Sequence, residues 1–157
     1  MAIIDVREVM QILPHRYPFL LIDRILELEP RKYARGYKNV TFNEPVFQGH
    51  FPGNPVLPGV YMIEAMAQLG GTTILERGDM ARKVPYLAGI DKAKFRRPVV
   101  PGDQLMMEVR VTKTKLNIGW VEAECTVDGK LAASATLTFS ITADPSAFNL
   151  DASILHA

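Results

Sequence analysis

Two ionisable side chains stand out for where they sit. His50 lies inside GHFPGNPVLPG, residues 49–59, a stretch with three glycines and three prolines. Glu64 is the single carboxylate in the apolar run that follows, GVYMIEAMAQLGG. Pro52, Pro55 and Pro58 fix their own φ and restrain the residue before them, while Gly49, Gly53 and Gly59 allow close backbone approaches. So constrained a loop suits a residue that must be held in place. A histidine held there can take a proton near neutral pH. A carboxylate on an oily helix is expensive to bury ionised, and desolvation favours its neutral form. Held that way, Glu64 is a usable general acid. Gln68, one turn further on the same face, can orient its carboxyl.

Each residue also has a plainer reading. A lone histidine is most often structural, and a tight crossover could need the same loop. Glu64 could be a rim carboxylate that reaches water. Taken together, the two are an acid/base pair without a nucleophile. There is no G-x-S-x-G elbow, and Cys125, in the middle of an alternating stretch, reads as a core thiol. His15, His50 and His156 are scattered and there is one cysteine, so no metal site is indicated. The loop also lacks the Lys-Ser/Thr of a phosphate loop. The helix start supplies a third part. The amides near Gly59 and Val60 lack helical acceptors, and the dipole there favours negative charge. They can receive a carbonyl oxygen that turns enolate-like. One base, one acid and one oxyanion site suit proton abstraction beside a carbonyl followed by loss of a β-hydroxyl.

The elements that must position these groups follow from hydrophobic period. Residues 5–13 read as a short helix, capped by Asp5 with Glu8 at capping-box spacing and stopped by Pro14. Residues 19–29 read as a long strand and 34–40 as a second. Residues 58–77 form the one long helix candidate, about 30 Å if continuous. Pro58 suits its first position and Gly78 its stop. It is apolar nearly all round and should be buried on most sides; Gly70 and Gly71 would admit a close neighbour or mark a kink. The period then changes to two. Strands are expected over 84–95, 104–115, 120–127 and 130–141, the last two joined by the hairpin pair Asp128-Gly129. On the last strand the inward face is read as Leu131, Ala133, Ala135, Leu137, Phe139 and Ile141. Residues 144–157 read as a peripheral tail. The expectation is an α+β fold, an antiparallel sheet wrapped around one long helix.

The bulk properties bound the class. At 157 residues and 48% hydrophobic, the chain suits one domain with a real core. With 18 basic and 17 acidic residues, it lacks the basic excess of a general nucleic-acid binder. The N-terminus MAIIDVREVM has no signal-peptide pattern, and no apolar run approaches a membrane span. A soluble cytoplasmic protein is expected, with no nucleic acid and no membrane as partner.

Three segments in matching order carry a family resemblance. GHFPGNPVLPGVYMIEAMAQ (49–68) closely resembles the signature of the Z-type (3R)-hydroxyacyl-acyl carrier protein dehydratases. LPHRYPFLLIDR (13–24) and KAKFRRPVVPGDQL (92–105) resemble that family's other two markers. The likeness covers about residues 5–142. It implies a hot-dog fold, an acyl carrier protein bearing a 3-hydroxyacyl thioester as substrate, and no cofactor. It implies His50 as the base at C2, Glu64 as the acid on the leaving hydroxyl, and Gly59 or Val60 as the oxyanion amide. It also implies a homodimer in which the histidine of one copy works with the glutamate of the other, with three dimers forming a hexamer. The related A-type dehydratase/isomerases resemble the same pattern but carry Asp at the Glu64 position. Departures are small: Leu57 where Met is common, Tyr61-Met62 in a variable pair, and a longer tail after Asp144.

Other marked residues have two readings each. His15, Arg16 and Tyr17 suit loop anchoring more than catalysis. Phe95 and Met62 are core or the lining of an acyl tunnel. Lys92, Lys94, Arg96 and Arg97 are a solvated face or the contact for an acidic carrier protein. Rival functions are a hot-dog acyl thioesterase, a MaoC-type hydratase and an acyl-binding module. The hydratase's H-x-D is missing, since Phe51-Pro52 follow His50.

Overall fold

The computed structural model describes residues 3–77 and 83–142. Gly78, expected to stop the long helix, and the expected tail at 144–157 lie outside the described residues. Helix α1 (Val6–Ile12) starts as its sequence dictates: Asp5 accepts the Arg7 and Glu8 amides, and Glu8 reaches back to the Asp5 amide. Strands β1 (Arg24–Glu29) and β2 (Tyr33–Asn39) follow, then a short 3₁₀ helix at Pro45–Gln48, which the sequence reading did not anticipate. Helix α2 (Gly59–Ile74) comes next, then β3 (Val84–Phe95), β4 (Gln104–Lys115), β5 (Ile118–Val127) and β6 (Lys130–Thr142).

All six strands form one antiparallel sheet in the order β1-β2-β4-β5-β6-β3. Helix α2 touches every strand, so the sheet wraps around it. Its Met66 and Leu69 are fully enclosed together with Leu105, Met107, Val121 and Leu137 from the strands. Each such side chain contributes about 1.5–3 kcal/mol by leaving water. Gly70 gives the ring of Phe139 its place: a Cβ there would stand 3.1 Å from two ring carbons. The close neighbour expected at this glycine is thus a side chain from the sheet.

Three expectations change. The strand expected from residue 19 starts only at Arg24. The intervening backbone is held instead by one side chain, because Gln68 accepts from the Leu21 amide at 2.8 Å and donates to the Phe19 carbonyl at 2.7 Å. Helix α2 ends at Ile74 rather than 77, as Leu75 turns extended and its amide closes on Gly71. On β6 the inward set is Ala133, Ala135, Leu137 and Phe139, while Leu131 faces out and Ala132 is buried. A register slip opposite Cys125/Thr126 moves the chain by one residue there, which exchanges faces. The hairpin is as expected, with Asp128 at φ 50° and Gly129 at φ 75°, both positive as a type I′ turn requires.

The two sheet edges differ. At β1, Ile25 bridges to Ile4 of the N-terminal segment. At the other edge lies β3, paired only with β6 among the described residues. It is twelve residues long and exposes Tyr86, Leu87, Ile90 and Phe95.

Candidate active site

His50 is set by backbone. The loop closes on itself: Val56 donates to the His50 carbonyl, Phe51 and Asn54 exchange two hydrogen bonds, and Leu57 donates to Val99. The His50 amide in turn reaches Val46 in the 3₁₀ helix. The His50–Phe51 peptide is cis, and the two rings stack at 3.8 Å. Within this frame Nδ1 of His50 lies 2.6 Å from the Val56 carbonyl oxygen. A carbonyl can only accept, so Nδ1 carries the proton and donates it. That leaves Nε2 unprotonated and able to take one, the state a general base needs.

The cavity beside His50 has a volume of about 360 Å³ and is lined by Gly59, Met62, Phe95, Arg96 and Arg97 among others. Gly59 opens α2. Its cap, Pro58, makes no side-chain hydrogen bond, so the amides of Gly59 and Val60 are not satisfied by the preceding residue. Phe95, 51% exposed, lays its ring over this point, and a Cβ on Gly59 would stand 2.9 Å from it. Met62 lines the cavity and is also buried in the core, its sulfur 4.0 Å from that of Cys125.

Glu64 is set by side chains. Its side chain is 22% exposed within one chain, between the buried and the rim positions that the sequence left open. Gln68, 2% exposed, donates to Oε1 at 3.0 Å. His15 approaches the same oxygen at 3.5 Å through Nε2. The sequence favoured loop anchoring over catalysis for His15. Arg16 fits that role better, since its guanidinium caps the end of α1 by donating to the Met10, Leu13 and His15 carbonyls. Glu64, Gln68 and His15 line a narrow cleft with Pro85, Leu87 and Phe139. His50 is not part of it. The cleft lined by Glu64 and the cavity lined by His50 are separate in the single chain.

The basic group also divides. Arg96 and Arg97 stand at the His50 cavity, just past the end of β3. Lys92 and Lys94 line a different groove on the outer face of the sheet, beside Glu108, Glu122 and Glu124. The strand pleat and the register slip between Asp91 and Lys94 separate the two pairs.

The comparisons with known proteins bear on the same residues. Residues 13–136 match the family model of a FabA-like domain. The 3-hydroxyacyl-(acyl-carrier-protein) dehydratase FabZ of Caldicellulosiruptor saccharolyticus is 53% identical over 137 residues, covering 87% of this chain and 98% of the relative. That of Clostridium botulinum is 54% identical over 138 residues, covering 88% and 96%. This chain belongs to the FabZ dehydratase family. The family match spans every candidate from His15 to Arg97. Among solved structures, the dehydratase heterocomplex ApeI:P of Xenorhabdus doucetiae superposes with a TM-score of 0.70 over 85% of this chain and 90% of the other, at 18% identity. A hypothetical thioesterase with coenzyme A from Streptococcus pneumoniae reaches 0.58 over 76% and 85%, at 12% identity. These likenesses establish the hot-dog fold. Among the described residues, no helix is long and apolar enough to cross a membrane.

Proposed function

We propose that this chain dehydrates (3R)-hydroxyacyl thioesters on acyl carrier protein to trans-2-enoyl thioesters in fatty-acid elongation, through His50 and Glu64. The observation that carries the chemistry is the 2.6 Å contact between His50 Nδ1 and the Val56 carbonyl, because it leaves Nε2 as the proton acceptor. Nε2 takes the proton from C2. Electron density moves onto the thioester oxygen, which the Gly59 and Val60 amides receive at the helix start. The C2–C3 double bond forms as the C3–O bond breaks, and Glu64 gives its proton to the leaving hydroxyl. Water departs. His50 is then protonated and Glu64 ionised, and return of that proton resets the site.

The catalytic unit is a homodimer, His50 of one copy facing Glu64 of the other. Two features support this. The pair lines separate cavities within one chain. Strand β3, which borders both halves through Leu87 and Phe95, is a long edge left unpaired among the described residues, with exposed apolar side chains, a surface that soluble proteins pair or cover. Three such dimers make the hexamer. Arg96 and Arg97 meet the acidic carrier protein at the cavity mouth, and Met62 and Phe95 line the acyl path. Lys92 and Lys94, in the separate groove beside Glu108, Glu122 and Glu124, offer a second basic pair away from the cavity mouth.

The test is one assay with purified protein and a 3-hydroxyacyl-carrier protein, read by product mass. Loss of one water is the expected outcome. Release of a free acid would make it a thioesterase, and an unchanged substrate a binding module.

A further inference from the structure

His15 and Gln68 meet on a single oxygen of the acid. Gln68 Nε2 lies 3.0 Å and His15 Nε2 3.5 Å from Glu64 Oε1. The Gln68 orientation is fixed by its other partners, since the Leu21 amide can only donate and the Phe19 carbonyl can only accept. The His15 tautomer is fixed by burial. Its Nδ1 is buried with no hydrogen-bond partner among the described residues. A proton on Nδ1 would bury an orphaned donor. A proton on Nε2 leaves only an unused acceptor behind and aims an N–H at the carboxyl, the cheaper arrangement.

We infer that His15 is a positioning residue for the acid: with Gln68 it directs two N–H groups onto Glu64 Oε1 and so confines the transferable proton to Oε2. An oxygen that accepts the Gln68 hydrogen bond and faces the His15 N–H at 3.5 Å is the less favourable place for the acidic hydrogen. Without this bias, the neutral carboxyl could carry its proton on either oxygen, and one of those states would present no proton to the leaving group. The inference rests on the reading of Glu64 as general acid.

The arrangement requires a neutral His15. An imidazolium at the same place would hold Glu64 as a carboxylate, which has nothing to give. The other residues around this cleft are apolar: Ala67 on α2, Pro85 and Leu87 on β3, and Phe139 on β6. Arg16, next in sequence, turns its guanidinium to backbone carbonyls, including that of His15. Glu64 is therefore the ionisable group that faces His15 across the cleft.

The experiment compares wild type, His15→Gln, His15→Leu and Glu64→Gln in kcat and KM. Gln places an N–H where the imidazole Nε2 stood; Leu does not. His15→Leu should lower kcat about 10- to 100-fold, the scale of a misplaced catalytic group, with KM little changed. His15→Gln should recover most of that loss. Wild-type kcat in His15→Leu would overturn the inference. So would a His15→Gln variant as slow as His15→Leu, which is what a merely structural histidine would give. An active Glu64→Gln would instead count against Glu64 as the acid, so the two failures are distinguishable.

Discussion

The two halves of the site are built from different materials. His50 is held by main chain: a proline-fixed loop, reciprocal amide–carbonyl bonds and the Val56 carbonyl on its ring. Glu64 is held by its place on α2 and by the side chains of Gln68 and His15. Main-chain contacts survive most substitutions around them, whereas side-chain contacts are lost with one codon. The base half should therefore tolerate changes among its neighbours, and the acid half should be tuned by them.

The largest effect tests the halves themselves. His50→Ala and Glu64→Gln should each lower kcat about 10²–10⁴-fold, the range of a lost general base or acid, with folding unchanged by circular dichroism. Next comes the support of the acid. Gln68→Ala leaves the buried Leu21 amide without its acceptor and frees one side of Glu64. Thermal or denaturant unfolding should show a loss of about 1–3 kcal/mol, and kcat should fall about tenfold or more. A Gln68→Ala enzyme as stable and active as wild type would erase the contrast between the halves.

Smaller effects sharpen it from the base side. Gly59→Ala puts a methyl against the Phe95 ring. The ring is half exposed and can swing away, so stability should hardly change. Turnover should drop about tenfold as the amide approach and the cavity mouth are reshaped. Gly59→Ala with Phe95→Leu should regain part of it in steady-state assays. The smallest effect lies away from the chemistry. Burial pushes the Cys125 thiol up to about 12. As pH rises past 9 the unfolded chain loses this proton first, so stability is fully present below pH 9 and declines from there toward 12. Between pH 8 and 10.5 wild type should lose about 2 kcal/mol more than Cys125→Ala in denaturant titrations.

What was legible in the sequence was mostly local. The capping box at Asp5, the hairpin at Asp128-Gly129 and the alternation of β4 and β5 are set by residues a few positions apart, and each forms as read. The base half was legible for the same reason, because Gly49–Gly59 carries its own constraints. The acid half was only partly so. Gln68 is four residues from Glu64 and could be read from helical spacing. His15 is 49 positions away, and only the wrapped sheet brings its loop against α2. The strand start at Arg24 was missed because Gln68, not a neighbouring strand, holds residues 19–21. The exchange of Leu131 for Ala132 depends on a bulge, which alternation alone does not reveal. The bare edge of β3 depends on strand order, a property of the whole sheet.

The central claim is that one working site takes His50 from one copy and Glu64 from another. Mixing His50→Ala with Glu64→Gln under conditions of subunit exchange tests it directly. Half of the resulting pairs are mixed, and each mixed pair holds one intact site of two, so about a quarter of wild-type activity per chain should return. Activity that stays at the level of the separate variants, in a mixture shown by labelled subunits to have exchanged, would contradict it.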